Sequence, residues 1–142
     1  KKIFLKMEDL SNDATAYFDE NKLKEVIINF VGNSLKFTDK GGVTVSVDKE
    51  PDFVKVTIKD TGVGIRKEDM DKLFTKFGRL DFSYQTISKD SGTGLGLYIC
   101  KLFSEAMGGK VGAISDGPGT GCTFWLEIPI KPETVTQLFD EE

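Results

Sequence analysis

The sequence predicts an α+β fold, a two-layer sandwich in which helices cover one face of a mixed, mostly antiparallel sheet. Three observations predict it. Segments with period-two alternation follow one another as hairpins, two long segments have helical spacing, and these helices lie before the first hairpin and between the two hairpins. With 142 residues and a mass of 15.7 kDa, the chain can form one hydrophobic core.

The first predicted elements are a short strand and a long helix. Charged and apolar residues alternate from Ile3 to Met7, which predicts a half-buried strand. Asp19 is a suitable N-cap for a helix that ends near Thr38, and Gly41-Gly42 supply the turn that follows. The helix has a single apolar stripe with i, i+3, i+4, i+7 spacing, formed by Leu23, Val26, Ile27, Phe30, Val31 and Leu35.

The middle of the chain predicts a β-hairpin. Apolar and polar residues alternate at residues 43–47 and again at residues 54–58, and the charged, proline-containing segment 48–52 suits the turn between them. Residues 67–77 predict a short helix. The polar segment 81–91 is rich in Ser and Thr and has no period, so we expect it to be mobile.

The C-terminal part returns to regular spacing. Residues 95–107 predict a helix that stops at Gly108-Gly109, a suitable C-cap pair. Two strands are predicted at residues 110–115 and 122–130, on either side of the glycine-rich turn 117–121. Residues 131–142 open with Pro132 and end acidic, so we expect a tail or linker after a single domain of residues 1–130.

The composition excludes several classes of function. A net charge of -4 and a pI near 5.0 argue against a nucleic-acid surface, which needs clustered basic residues. No apolar run approaches a membrane span, and the first ten residues do not resemble a secretory signal. We therefore expect a cytoplasmic domain that makes no direct membrane contact and is monomeric in isolation. Cys100 and Cys122 lack metal-ligand spacing and are predicted to be core residues.

A polar stripe runs beside the apolar stripe of the first helix. Asn29, Asn33 and Lys36 lie at i, i+4 and i+7, and Lys22 and Glu25 extend the same stripe. An amide oxygen at Asn33 is a ligand that Mg²⁺ accepts, and Lys36 offers a cation to phosphate oxygens. A solvated helix face is the alternative interpretation of this helix alone.

The end of the first hairpin has the sequence Asp-Thr-Gly-Val-Gly-Ile, residues 60–65. A carboxylate at a strand end can accept a hydrogen bond from the exocyclic amine of adenine, and glycines allow the backbone to approach a planar base. An ordinary Asx turn that caps a strand explains the segment equally well when it is considered alone.

A second glycine-rich segment, Ser91 to Leu97, leads directly into a predicted helix. Free backbone N–H groups at a helix N-terminus favour phosphate. The spacing matches neither a Walker A loop nor the dinucleotide G-x-G-x-x-G pattern, and a flexible linker is the alternative. Gly119 to Phe124 adds another glycine turn, which a hairpin also explains.

Taken together and in this order, these segments resemble the catalytic, ATP-binding domain of sensor histidine kinases, in the wider group that includes gyrase, MutL and the heat-shock chaperone ATPases. The resemblance runs from about Asp19 to Pro129 and implies a Bergerat-type fold with ATP and Mg²⁺ as ligands. Its five elements are an N box at Asn29 to Thr38, a G1 box at Asp60 to Ile65, an F box at Leu73 to Asp81, a G2 box at Gly92 to Leu97 and a G3 element at Gly119 to Phe124.

The resemblance implies a role for each matching residue around the base and the metal. Asn33 is the implied Mg²⁺ ligand, with Asn29 alongside it, and Lys36 is the implied phosphate contact. Asp60 is implied to bind the adenine amine, with support from Thr123 through a water molecule. The nucleotide site is also implied to include Gly62 and Gly64, which make room for the base, and Ile65.

On the phosphate side, the resemblance implies a lid. Arg79 is implied to stabilise charge on the transferring phosphoryl group, and Phe77 to pack the lid against the domain. The lid loop itself is implied to consist of Gly92, Thr93, Gly94, Leu95, Gly96 and Leu97. The chain departs from the family pattern at Ser34, where Ala is common, and at Gly78, which precedes Arg79 and puts its exact placement in doubt.

Two features favour a kinase over an ATP-hydrolysing enzyme. Relatives that hydrolyse ATP have a general-base Glu four residues before the magnesium Asn, whereas Asn29 stands there in this chain and cannot accept a proton. The chain also contains no histidine, so the implied acceptor lies on a dimerisation domain of the same parent protein, which passes the phosphate to the receiver domain of a response regulator. A nucleotide-sensing pseudokinase module that binds ATP without transfer is the alternative.

Overall fold

The computed structural model describes residues 3–9, 16, 18–75 and 96–130. The predicted mobile segment 81–91 and the predicted tail 131–142 lie outside these residues. The helices and strands are β1 (Phe4–Asp9), α1 (Glu20–Lys36), β2 (Gly42–Lys49), β3 (Phe53–Asp60), α2 (Lys67–Met70), α3 (Gly96–Ala106), β4 (Lys110–Ile114) and β5 (Cys122–Pro129).

The strands form one five-stranded sheet in the order β1-β2-β3-β5-β4. Strand β1 runs parallel to β2, because α1 carries the chain back across the sheet between them. The other three pairs are antiparallel, and β2-β3 and β4-β5 are the two hairpins predicted from the sequence. The predicted mixed, mostly antiparallel sheet is therefore confirmed, with β3 at its centre.

Helices α1 and α3 lie together on one face of this sheet. Residues of β3 and β5 alternate between buried and partly exposed positions, and the buried set faces the two helices. At the centre of the core the Phe30 ring of α1 stacks on Phe124 of β5 with the ring centroids 5.1 Å apart, and Phe74 meets both rings edge to face. The predicted two-layer arrangement is confirmed.

Asp19 is the N-cap of helix α1, as predicted. Its carboxylate accepts hydrogen bonds from the backbone N–H groups of Asn21 and Lys22, at 3.0 and 3.1 Å. The hydrogen bond from Lys22 N–H is the main cause that lowers the pKa of Asp19. At the other end the helix stops at Lys36, and the backbone N–H of Phe37 closes the last turn on the Asn33 carbonyl at 3.1 Å.

The helix predicted at residues 67–77 is shorter in the structure. Helix α2 ends at Met70, and the chain continues to Thr75 through turns whose N–H groups bond three residues back, as Lys72 does to Asp69 and Thr75 to Lys72. The salt bridge between Arg66 Nε and Asp69 Oδ2, at 2.9 Å, holds the single helical turn. Strand β1 also ends two residues later than predicted, because its pairing with β2 continues to Asp9.

Both cysteines are core residues, as predicted. Cys100 and Cys122 are unpaired and buried, and burial raises the pKa of the Cys100 thiol to about 12. Among the helices described, none has the length and apolar character needed to span a membrane.

Replacing Phe30 with Ala tests the aromatic centre of the core. Phe30 is fully buried, so Phe30→Ala leaves a cavity beneath Phe124, and we expect the free energy of unfolding in urea to fall by about 3–5 kcal/mol. Ile28→Ala is the control, because Ile28 lies on the same helix with 58% of its surface exposed. The control should change stability by less than about 0.5 kcal/mol. Equal losses in the two variants would contradict this account of the core.

Candidate functional site

Four backbone segments meet at one end of the sheet. They are the C-terminal half of α1, loop 61–66 after β3, loop 115–121 between β4 and β5, and the start of α3. Hydrogen bonds and close approaches join each of them to a neighbour. Most of the predicted site residues that the structure describes lie on these segments.

Asp60 is the central polar residue of this region. It is the last residue of β3 and is only 4% exposed. Its Oδ1 atom accepts hydrogen bonds from the backbone N–H groups of Gly62 and Cys122, at 2.9 and 3.0 Å. Both of these backbone hydrogen bonds go to Oδ1 and neither goes to Oδ2. One carboxylate oxygen is thus anchored to the backbone, and the other is available to a ligand donor.

The ionisation of Asp60 is set by opposing effects. Loss of hydration on burial is the largest and raises the pKa of the carboxyl. The backbone N–H groups of Gly62 and Cys122 act in the opposite direction because they bind the ionised form. The net effect is a raised pKa, so the ionised carboxylate is held at a cost in stability that disappears when the group is protonated at acid pH.

Gly62 and Gly64 have a packing role of their own. A Cβ on Gly62 would lie 2.3 Å from the Phe37 carbonyl oxygen, and one on Gly64 would lie 2.1 Å from the Gly117 carbonyl oxygen. Gly64 also has a φ of 73°, which side-chain-bearing residues rarely adopt. Both glycines therefore allow loop 61–66 to approach α1 on one side and loop 115–121 on the other. Room for a base remains a sequence prediction.

Ser115 fastens the two loops to each other. Its Oγ accepts from Ile65 N at 3.0 Å and donates to the Gly121 carbonyl at 2.7 Å, and Gly119 N donates to the Val63 carbonyl at 2.7 Å. Sequence reasoning missed Ser115, because a serine after a strand has no distinctive pattern. Its position immediately before a glycine-rich turn is the one signal that could have indicated it.

Thr61 and Val63 attach the same loop to the end of α1. The Val63 N–H donates to the Phe37 carbonyl at 3.1 Å, while Thr61 Oγ1 donates to the Lys40 carbonyl at 2.7 Å and accepts from Gly42 N at 3.0 Å. The loop that follows Asp60 is thus held at both sides by hydrogen bonds of its backbone and of the Thr61 and Ser115 hydroxyls.

The predicted polar stripe of α1 lies beside the start of α3. Asn29 Nδ2 donates to the Glu25 carbonyl at 2.8 Å, which leaves Oδ1 directed toward Gly96. A Cβ on Gly96 would lie 3.1 Å from that Oδ1 atom. The structure therefore brings together Asn29 and Gly96, which are 67 positions apart in the chain.

Asn33 and Lys36 lie on the same side of α1. Asn33 is partly exposed, and among the described residues its side chain makes no hydrogen bond. Lys36 Nζ lies 6.0 Å from the centre of the Phe37 ring. The two side chains can therefore serve as an oxygen ligand and a cation next to Asn29.

Other predicted site residues have different positions. Ile65 is buried in the core, and Leu97 packs against the core. Phe77, Arg79, Gly92, Thr93, Gly94 and Leu95 lie outside the described residues, so their roles remain predictions from the sequence.

The structure contradicts the prediction that Thr123 supports Asp60. In the β3-β5 register Asp60 is opposite Cys122, whereas Thr123 is opposite Lys59, and residues one position apart in a strand face opposite sides of the sheet. The partner of Asp60 in this strand is the backbone N–H of Cys122. The resemblance had assigned Thr123 without a strand register, which depends on the pairing of β3 with β5.

No preformed metal cage is present in residues 3–9, 16, 18–75 and 96–130, where no group of three or more His, Cys, Asp or Glu side chains is arranged around a common point. The amide oxygens of Asn33 and Asn29 are hard ligands that suit Mg²⁺ when phosphates supply the remaining ligands. The residues present thus fit a magnesium ion that arrives with a nucleotide.

A protein-family match covers most of the chain. The family described as "Histidine kinase-, DNA gyrase B-, and HSP90-like ATPase" matches residues 18–132. This range includes α1 and every later element of the fold.

Two curated proteins illustrate the sequence similarity. The chain is 38% identical over 124 residues to hybrid signal transduction histidine kinase C of Dictyostelium discoideum, which covers 81% of this chain and 10% of that protein. It is 40% identical over 125 residues to the sensor histidine kinase WalK of Bacillus subtilis. That alignment covers 85% of this chain and 20% of WalK. The chain therefore spans a fifth or less of the length of these relatives.

Two solved structures share the fold. The catalytic domain of histidine kinase ThkA, in a nucleotide-free form, superposes with a TM-score of 0.75 at 28% identity and covers 92% of this chain and 82% of that one. Full-length ShkA in complex with AMPPNP also gives a TM-score of 0.75, at 34% identity, and covers 89% of this chain and 25% of that one.

Removing the Ser115 hydroxyl tests how the two loops are held. Ser115→Ala leaves the N–H of the buried residue Ile65 without its acceptor, and we expect a loss of about 1–3 kcal/mol in urea unfolding together with faster hydrogen exchange at the Ile65 amide. Thr120→Ala is the control, because its exposed hydroxyl bonds only to Gly117 within the same loop. If Ser115→Ala changed neither quantity more than the control, the two loops would not depend on this hydroxyl.

Proposed function

The chain belongs to the family of histidine kinase-, DNA gyrase B- and HSP90-like ATPases, and on that premise we propose that it binds Mg-ATP and donates the γ-phosphoryl group to a histidine on a separate dimerisation domain. It is a catalytic, ATP-binding domain of the histidine kinase type. The observation that carries the proposal is the Asp60 carboxylate, which has one oxygen anchored to the backbone and one available to a base.

Asp60 binds the adenine base in this proposal. An ionised Oδ2 accepts from the exocyclic amine, and Oδ1 keeps the carboxylate oriented through its two backbone bonds. Gly62, Gly64 and Ile65 form the loop beside the base. The AMPPNP complex of ShkA supports a nucleotide as the ligand, because AMPPNP is an ATP analogue and ShkA shares this fold.

The polar stripe of α1 holds the phosphate end. Asn33 and Asn29 offer amide oxygens to Mg²⁺, and Lys36 offers a cation to phosphate oxygens. Bound Mg²⁺ supplies positive charge to the triphosphate. Gly96 at the start of α3 lies next to Asn29, which supports a phosphate position near these two residues. From the resemblance alone, Gly92, Thr93, Gly94 and Leu95 are assigned to the lid loop, Phe77 to lid packing and Arg79 to stabilising charge on the transferring group.

Transfer to a protein is favoured over hydrolysis. Phosphoryl transfer breaks the bond between the γ-phosphorus and its bridging oxygen, leaves ADP and forms a phosphorus–nitrogen bond on an imidazole. Hydrolysis needs a base for water, and the candidate position holds the amide Asn29, which binds the Glu25 carbonyl through Nδ2. Because the chain contains no histidine, its substrate is a histidine supplied by another domain.

The parent protein is proposed to be a cytoplasmic or membrane-anchored two-component kinase. Three similar proteins are hybrid signal transduction histidine kinases or a hybrid signal transduction protein. In the proposal, residues 1–130 form the catalytic domain and residues 131–142 a tail or linker. A dimerisation domain of the same parent carries the histidine, and a response regulator receives the phosphate.

Two substitutions test the assigned ligands. Asn33→Asp and Asp60→Asn should each lower the affinity for Mg-ATP, measured by calorimetry, by about 100-fold or more while circular dichroism stays unchanged. Asp60→Asn keeps an oxygen that can accept from Gly62 and Cys122 but presents an amide NH2 donor to the exocyclic amine of the base, which is also a donor. Asn21→Asp on α1 and the exposed Asp71→Asn are matched controls with wild-type affinity. Wild-type affinity in either test variant would remove that residue from the site.

Transfer is tested by adding the missing substrate. With γ-labelled ATP, the chain alone should remain unlabelled and show very low steady-state ATPase activity. Adding the dimerisation domain of its parent protein should place acid-labile phosphate on that domain, and none when its histidine is replaced by Gln. ATP binding without transfer would identify a nucleotide-sensing module instead. Label on this chain alone would contradict the kinase proposal.

A further inference from the structure

Ser34 is the polar residue that the proposed site leaves unexplained. It lies on α1 one position after Asn33, is 1% exposed, and its Oγ atom has no hydrogen-bond partner among the described residues. A buried hydroxyl without a partner is destabilising, because it gives up its hydrogen bonds to water and gains none in the protein. An alanine at this position would avoid that cost.

Other buried hydroxyls near helix ends do have partners. Thr38 Oγ1 donates to the carbonyl four residues earlier, that of Ser34, at 2.7 Å, and Ser104 Oγ donates to the Cys100 carbonyl at 2.7 Å in α3. Bonding to the i-4 carbonyl is the usual solution for a helical serine. Ser34 does not adopt it, although Phe30 offers the corresponding carbonyl. Its hydroxyl therefore has no hydrogen-bond acceptor on its own helix.

The neighbouring polar group is the Asp60 carboxylate. The Ser34 hydroxyl lies close enough to lower the pKa of Asp60, after the N–H groups of Gly62 and Cys122 in size of effect, but the hydrogen bond to the carboxylate is not completed. Thr38 and Gly62 lie at the same junction, since a Cβ on Gly62 would be 2.8 Å from Thr38 Oγ1 and 3.0 Å from Asp60 Oδ1. Ser34, Thr38 and Asp60 thus belong to one junction, because the Ser34 carbonyl is the acceptor of the Thr38 hydroxyl.

We propose that Ser34 is a positioning residue of the adenine site, whose hydroxyl donates to the Asp60 carboxylate when a nucleotide is bound and holds it ionised toward the base. The inference rests on the proposed function, since it requires a purine at Asp60. It also assigns a role to the position where this chain departs from the alanine common in the family.

The chemical consequence is selectivity between purines. An ionised Asp60 accepts from the exocyclic amine of adenine. Hypoxanthine and guanine carry a carbonyl oxygen at that position, which an ionised carboxylate repels and a protonated one can bind. By favouring the ionised form, Ser34 selects adenine nucleotides over nucleotides with a carbonyl at that position.

The pKa of Asp60 is shifted by burial and by hydrogen bonds, without a contribution from a charged side chain of the described residues. The backbone and Ser34 are the causes that oppose desolvation, and no described Lys, Arg, Asp or Glu of α1, β2, β5 or loop 61–66 contributes to its shift. The Cys122 thiol is the titratable neighbour, and burial raises its pKa, with the Asp60 charge acting in the same direction. Cys122 thus stays neutral wherever Asp60 titrates.

Calorimetry with ATP and with inosine triphosphate, from about pH 5 to pH 8, tests the proposal on the wild type, Ser34→Ala and Ser104→Ala. Ser104→Ala is the matched control, a buried helical serine away from the site. Ser34→Ala should bind ATP about tenfold more weakly than the wild type at neutral pH. As the pH falls, the variant should also lose ATP binding at a pH about one unit higher than the wild type does, because the pKa of Asp60 rises. Its preference for ATP over inosine triphosphate should narrow.

Each outcome decides a separate point. If the wild type does not bind ATP, the proposed function fails. If the wild type binds ATP and Ser34→Ala keeps its affinity and pH profile, or weakens both nucleotides equally, Ser34 has no role in positioning Asp60. Nucleotide-free Ser34→Ala should melt at or above the wild-type temperature, whereas Ser104→Ala should melt lower. If Ser34→Ala fails to fold, Ser34→Cys, with a weak donor of similar size, gives the same comparison.

Discussion

The hydrogen bonds from Gly62 N–H and Cys122 N–H to one oxygen of Asp60 are the interaction on which the rest of the site depends. They join the end of β3 to the start of β5 and to the loop that follows β3. They also orient a buried carboxylate whose second oxygen receives neither of these bonds. A single side chain therefore connects the sheet, closes a turn and presents an acceptor.

The surroundings of Asp60 show how the fold tolerates a buried charge. Desolvation opposes ionisation, and backbone donors offset part of that cost without bringing in a counter-ion. Because Ser115 and Gly119 hold the two loops together, these donors stay in place without a ligand. The Asp60 end of the candidate site is thus preorganised, whereas the end proposed for phosphate consists of side chains on a helix surface.

Periodicity made most of the fold predictable. The stripe of α1, its N-cap at Asp19 and both hairpins follow from spacing that local geometry enforces. The site was less predictable, because it depends on contacts between distant segments. Thr123 was assigned in place of Cys122, since only the pairing with β3 decides which residue faces Asp60. Ser115 had only a weak local signal, and the spacing of residues 67–77 did not show that α2 gives way to three-residue turns after Met70.

The strand order has a consequence for how the domain opens. Strand β3 is paired on both sides, whereas β1 is held only by β2 within the described sheet and exposes Phe4, Leu5 and Met7. In native-state fluctuations an edge strand detaches at lower free energy than a central one. We expect β1 to exchange its amide hydrogens first and β3 last. The acceptor proposed for the base, Asp60, thus sits on the strand expected to exchange last, where transient fraying of the edge leaves it intact.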